Sequence, residues 1–311
     1  MSVLSSKWLA KQTIDLKMAA CLREIGELKG RSEMVGTRAL RSMELLRQVT
    51  AEHSAAAACR LERSETSVEQ TNYQRLVLEL QDTAAKLPVE AATVKLIHAG
   101  LFAGSGSESA GFGSTEAADA VAEMCDGFRA LELSTEGLLL IGTFISEFLH
   151  VRPFASGNLR TALLIAVWLL NRSGYSACRY VSLERILERM DQEFRAAMTQ
   201  AALDSRSSSF DIMPWWSCWL ELILISYRAL STRSEALSGR RGVKTNMVLT
   251  VIGSLQTDFS IRQLQQLAPE CGIELIRKIL KEQKAAGKLR CIGRGPNALW
   301  RKKKMRRTGI V

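Results

Sequence analysis

The residues best placed to do chemistry in this 311-residue sequence run from Arg152 to Arg160: Arg-Pro-Phe-Ala-Ser-Gly-Asn-Leu-Arg. They interrupt two apolar stretches, 141–150 and 161–171, that read as helices. A helix that stops at Pro153, turns through Gly157 and Asn158 and restarts leaves the first amides of the new helix without intrahelical partners, which makes a small anion site. Phosphate is the guest that suits it, with Arg160 positioned to pair with the charge. Taken alone, a Gly-Asn turn after a proline is most often a connection between helices, so the surrounding residues decide its meaning.

Those surroundings carry a resemblance. The stretch from Phe148 to Arg160 aligns without gaps to the active-site motif of Fic-domain proteins, His-x-Phe-x-Asp/Glu-Gly-Asn-Gly-Arg-x-x-Arg. Leu170-Asn171-Arg172-Ser173-Gly174-Tyr175, Arg179-Tyr180-Val181-Ser182-Leu183-Glu184-Arg185 and Asp211-Ile212-Met213-Pro214-Trp215 follow in the order in which similar stretches follow the motif in many bacterial Fic proteins. The resemblance implies a helical Fic-like bundle. It also implies ATP as a ligand at Arg152, Gly157, Asn158 and Arg160, and an ancestral activity that moves AMP from a nucleotide onto a protein hydroxyl.

Within the motif the residues that would perform that transfer are replaced. The resemblance puts the family's general base at Arg152, its metal-holding carboxylate at Ser156, a phosphate-loop glycine at Leu159 and its second arginine at Leu163. Arginine stays protonated and cannot accept the hydroxyl proton. Serine is a poor ligand for Mg²⁺, which wants an anionic oxygen, so no metal is expected. A Cβ at Leu159 stands where backbone would approach phosphate. Two residues upstream, His150 is the one candidate for a substitute base; otherwise it is a helix-end histidine near carbonyls. These losses describe a pseudoenzyme that senses a nucleotide or serves as a scaffold, with an active AMP or nucleotidyl transferase of altered mechanism as the alternative.

A second element of the resemblance lies at Ala58-Cys59-Arg60-Leu61-Glu62-Arg63, where the family carries an inhibitory helix with a glutamate. Glu62 matches that glutamate, but its flanking positions and its partner arginine (Leu163 here) do not. We therefore expect Glu62 to be an inhibitory-like relic or a structural acid paired with Arg60 or Arg63, with a live inhibitory role as the alternative. The Gly- and Ser-rich run 100–114 reads as a flexible loop, and the family's β-hairpin flap for target segments is not visible in it.

The elements that must position these residues are helical. Apolar periodicity predicts helices at 8–30, 37–60, 66–87, 89–102, 115–131, 135–150, 182–205 and 214–237. Trp168, Trp215, Trp216 and Trp219 fall among Leu and Ile at helical spacing and read as core. Apolar residues make up 47% of the chain, enough for one large core plus a small second domain, and the fold class is mostly α. No apolar run reaches the roughly 18 residues of a membrane span, and the seven cysteines form no Cys-x-x-Cys pair, so a reducing cytoplasmic setting is expected.

Charge separates the C-terminal segment from the body. Residues 239–311 hold 17 of the 42 Lys and Arg but 4 of the 32 Asp and Glu. Helices near 243–255, 260–267 and 272–287, then alternating segments at 288–293 and 297–301 around Arg294-Gly295-Pro296, resemble a winged helix-turn-helix, which some Fic proteins carry at this end. The resemblance implies DNA binding, with Glu274, Arg277, Lys278 and Lys281 on a groove-facing third helix and Arg294 and Arg301 on phosphates. The expected organisation is 1–112 N-terminal helices, 113–238 Fic-like core, and 239–311 basic winged-helix-like domain and tail. DNA is the expected partner; a protein partner and a homodimer stay open, and no membrane partner is expected.

Overall fold

The computed structural model describes residues 4, 6–9, 11–35, 40–63, 66–106, 111–204, 211–238, 243–255, 258–268, 271–293, 295 and 298–303. By Cα proximity the chain divides into two compact units, Met1–Arg31 with Thr50–Leu230, and Ser32–Val49 with Ser231–Val311.

The first unit is a helical bundle. In chain order its elements are α1 (Ser6–Leu9), α2 (Leu16–Val35), α3 (Leu40–Glu62), α4 (Ser67–Thr83), α5 (Ala91–Phe102), α6 (Thr115–Leu131), α7 (Gly137–Val151), α8 (Asn158–Arg172), a 3-10 turn at Ala177–Arg179, α9 (Leu183–Arg189), α10 (Asp191–Asp204) and α11 (Met213–Ser238). Helices α2, α3 and α11 each extend past the boundary between the units. Ser114 and Ser182 cap α6 and α9 by accepting the amides of Ala117 and Arg185, which supplies partners to first-turn amides that would otherwise lack them.

Two expected helices divide. The 8–30 helix is α1 plus α2, because Asp15 accepts the Met18 amide at 2.7 Å and starts a new helix. Gly30, the expected stop, lies inside α2 and is exposed, where its lack of a Cβ costs about 1 kcal/mol and no more. The 182–205 helix breaks at Met190, and Asp191 and Glu193 then occupy the favoured acidic first turn of α10.

The core of this unit sits around α8, which packs on α4, α5 and α7 and is buried nearly all round from Asn158 to Leu170. A helix apolar on every side belongs in the interior. The tryptophans are core residues with satisfied indoles: Trp215 donates to the Gly142 carbonyl (2.7 Å), Trp216 to the Thr143 hydroxyl (3.0 Å) and Trp219 to the Leu138 carbonyl (2.9 Å), so α11 is tied to α7 by three hydrogen bonds. Gly142 is what lets the two helices approach, since a Cβ there would lie 2.6 Å from a Trp219 ring carbon.

The second unit has its own core, formed by residues such as Met247, Val248, Ile252, Phe259, Leu264, Ile276, Ile279, Leu280 and Leu289. Its C-terminal part runs α12 (Val243–Ser254), β1 (Phe259–Ser260), α13 (Ile261–Leu267), α14 (Ile273–Ala285), β2 (Leu289–Ile292) and β3 (Leu299–Lys302). The three strands form an antiparallel sheet in the order β1-β3-β2, with Phe259 opposite Trp300 and Cys291 opposite Trp300 on the other side. Ser260 and Gln263 form a reciprocal capping box at the start of α13. The sequence shows that cap; the two-residue strand before it was not expected.

The close approach at Gly142 predicts that Gly142→Ala, by forcing a methyl against a buried indole, lowers stability by about 1–3 kcal/mol. Thermal unfolding followed by circular dichroism measures it, and an unchanged midpoint would show that α7 and α11 can separate at no cost.

Candidate functional site

The motif loop is shaped first by how α7 ends. Pro153 cannot continue the helix, and Arg152 terminates it in the left-handed conformation (φ 49°, ψ 60°), its amide donating to the Phe148 carbonyl at 2.9 Å. Its side chain is exposed. His150 is exposed in the last turn of α7.

Beyond Pro153 the loop is fastened by its own polar groups and by stacked rings. The Asn158 side chain accepts the Phe154 amide (3.1 Å) and donates to the Phe154 carbonyl (2.7 Å), so it closes the loop on itself. Phe154 is buried and stacks on His98 with ring centroids 3.7 Å apart and on Phe112 at 5.0 Å. The fully buried His98 lies 3.1 Å by its Nε2 from the Ser156 carbonyl, an arrangement that requires Nε2 to carry the proton, while its Nδ1 has no hydrogen-bond partner. Burial holds the His98 imidazole below its usual range. Gly113 of the Gly- and Ser-rich run donates to the Pro153 carbonyl at 2.8 Å. Thus the run expected to be a flexible loop supplies Phe112 and Gly113 to the motif; its residues 107–110 lie outside the described ones.

Gly157 caps α8 in the left-handed conformation (φ 70°), and a Cβ there would meet the Phe102 ring at 2.6 Å. The position therefore needs glycine twice over, for its backbone angle and for the ring lying against it.

The amide and the guanidinium that would receive an anion are already engaged. Glu62, at the end of α3, accepts the Leu159 amide through Oε1 (2.7 Å) and Arg160 Nε through Oε2 (2.6 Å). Glu69, in the first turn of α4, accepts Arg160 Nη1 at 2.7 Å. Arg160 is 4% exposed, and the two carboxylates are 18% and 9% exposed. Burial opposes the charge on Arg160, and the hydrogen bonds it donates to Glu69 and Glu62 more than offset it, leaving its pKa above the ordinary value. The Phe102 ring centroid lies 5.3 Å from the Arg160 guanidinium carbon.

This corrects the expected pairing of Glu62. Arg60 instead binds Glu188 (2.7 and 3.0 Å), and Arg63 ends α3 as an exposed left-handed residue. Glu69, His98 and Phe102 were not singled out by sequence. A lone histidine or glutamate on a helix carries no pattern, and the signal was available only as burial of polar residues on otherwise apolar faces.

Of the expected nucleotide-binding set, the structure brings Gly157, Asn158 and Arg160 together, while Arg152 stands exposed at the end of α7. Asn158 is turned inward and Arg160 is neutralised. Glu62 occupies the Leu159 amide and Arg160 Nε, Ser156 offers no anionic oxygen, and the Phe102 ring lies against Gly157. Among the described residues no group of three or more His, Cys, Asp or Glu is placed to hold a metal ion. The one described side chain with a free basic nitrogen against this loop, His98, is sealed from solvent.

In the second unit, Arg277, Lys278 and Lys281 are exposed along α14, with Arg277 bound to Glu274 at 2.7 Å. Arg301 makes a bidentate pair with Asp258, and Lys302 donates to the Gly253 carbonyl at 2.8 Å. Arg294 lies outside the described residues, as does the basic run 304–307. No helix among the described residues is long and apolar enough to cross a membrane.

Removing Arg160 leaves the part-buried Glu62 and the buried Glu69 without their shared cation. Arg160→Met is expected to cost about 3–5 kcal/mol, and adding Glu62→Gln and Glu69→Gln to recover a good part of it; chemical denaturation of the three proteins reads this, and no recovery would mean that packing, not charge, sets the loss. His98 gives a pH dependence. Because its folded pKa is depressed, its stabilising contribution is fully present above the unfolded value of about 6.5 and is lost as pH falls through the lower folded value. Stability measured from pH 8 to 5 should therefore fall less steeply in His98→Asn than in the parent; equal slopes would exclude His98 as the titrating group.

No family model matches the chain, and no curated protein matches it. Among solved structures it is similar to the crystal structure of a Fic family protein from Desulfovibrio desulfuricans G20, with a TM-score of 0.56 over 95% of this chain and 99% of that one, at 17% sequence identity. The likeness takes in nearly the whole of both chains, and in its arrangement of helices this protein therefore has the fold of the Fic family.

Proposed function

We propose that this protein is a DNA-binding regulator whose Fic-like body is a degenerate, catalytically silent scaffold and whose C-terminal segment is a winged helix. The observation that carries the DNA-binding half is the order α12-β1-α13-α14-β2-β3 with its β1-β3-β2 sheet, in which α14 buries Ile276, Ile279 and Leu280 and turns Arg277, Lys278 and Lys281 to solvent. A basic helix face of this width fits the major groove, and a two-stranded ribbon after it fits adjacent phosphates.

Glu62 supports the silence of the body. Its carboxylate holds the Leu159 amide and Arg160, so an incoming phosphate would have to displace a part-buried ion pair. Arg152 at the position of the family's base cannot take a proton, and His98 is fixed to the loop it would serve. Nucleotide sensing would require Glu62 to move out of the site, and no described residue waits to take its place. The body then acts through its surface and its attachment to the C-terminal unit.

The test is fluorescence anisotropy of the full chain with duplex DNA across a salt series, run alongside label transfer from α-labelled ATP. Binding is expected to weaken with salt, no label is expected on any protein, and Lys278→Ala with Lys281→Ala should lower the logarithmic salt slope by about 0.9 for each phosphate the variant no longer neutralises. Transfer of label would overturn the silent body, and the absence of duplex binding at low salt would overturn the regulator.

A further inference from the structure

We infer that Glu274 and Arg277 form a base-reading pair on α14, with Glu274 accepting from the amino group of a cytosine and Arg277 donating to an adjacent guanine. The inference rests on the DNA-binding reading above and adds which part of the duplex the helix recognises.

It starts from a carboxylate in the wrong place for a surface that binds phosphate alone. At about 100° per residue, Glu274 lies within about 60° of Arg277, Lys278 and Lys281, on the side of α14 opposite Ile276, Ile279 and Leu280. It is therefore at the centre of the basic face rather than at its edge. Its side chain is 81% exposed, so it fills no structural role in the core of the unit. A carboxylate accepts hydrogen bonds and donates none, and against a phosphate backbone it repels. Its place in the first turn of α14 suits the helix dipole, but a helix that met phosphate alone would lose attraction by carrying it on this face.

Against base edges the same carboxylate has a use. In the major groove cytosine offers an amino donor, and guanine offers two acceptors that suit an arginine fork. Glu274 holds Arg277 by Nη1 at 2.7 Å, which orients the guanidinium while leaving its other donors outside that hydrogen bond. The pair sits in the first turns of α14, the part of a recognition helix that reaches base edges. Residues three apart on a helix lie about 5–6 Å from each other, close enough to address neighbouring base pairs. Lys278 and Lys281 flank the pair and supply the attraction to the backbone on either side.

The deep, narrow major groove of duplex RNA would not admit this face, so the partner is DNA. The experiment is selection of binding sites by the full chain from a randomised DNA duplex pool, followed by anisotropy on the selected sites with duplex RNA of the same sequence as control. The selected sites should share a cytosine next to a guanine. Glu274→Gln should relax the preference for that cytosine by about tenfold while raising affinity for random duplex, and Arg277→Ala should relax the preference for the guanine. Both residues are on the surface, and circular dichroism confirms that the variants fold. Selection without base preference, a cytosine preference unchanged in Glu274→Gln, or equal binding to the RNA overturns the pair while leaving duplex binding in place. Failure of the parent chain to bind any duplex overturns the regulator as well.

Discussion

One guanidinium with two carboxylates around it decides the arrangement of the body. Arg160 is almost fully buried, and a buried cation is tolerated only where opposite charges and hydrogen bonds replace its water. Glu62 arrives from the end of α3, Glu69 from the start of α4, and Arg160 from the start of α8, so three helix ends are fixed in register by one residue. Moving any of the three exposes an unpaired charge to an apolar interior. The end of α3 and the start of α4 are thereby held against the start of α8.

The loop itself is built to keep one shape. Asn158 staples its two ends, Phe154 is gripped between His98 and Phe112, and Gly157 accepts the Phe102 ring where any side chain would collide. Between them these interactions tie the loop to α5, through His98 and Phe102, to the 111–114 stretch and to the loop's own backbone. The Leu159 amide and the Arg160 guanidinium, the donors at the start of α8, are bound within the protein by Glu62 and Glu69.

Much of the helical order is legible in the sequence because it rests on local chemistry. The limits of α6 follow from Ser114, and the end of α7 from Pro153. The break before Asp191 and the start at Asp15 are local signals too, but the apolar periodicity runs through both and hides them. The pairing of Glu62 was not legible at all. Sequence offers Arg60 and Arg63 as neighbours, whereas the true partner is 98 positions away and is set by tertiary packing. His98 was invisible for the same reason, since its meaning comes from Phe154 and Ser156, two residues on another element. The motif's loop shows in its residue types; what fills it is a matter of which helices meet.

The sheet of the second unit has a property that follows from its order. β3 is the last strand in the chain and the middle one in the sheet, and β1 and β2 are hydrogen-bonded to it but not to each other. Neither outer strand can keep its ladder without β3, and β3 is in turn fastened by Arg301 to Asp258 and by Lys302 to Gly253. Loss of β3 therefore removes both ladders at once, although β1 and β2 are separated by about thirty residues of sequence.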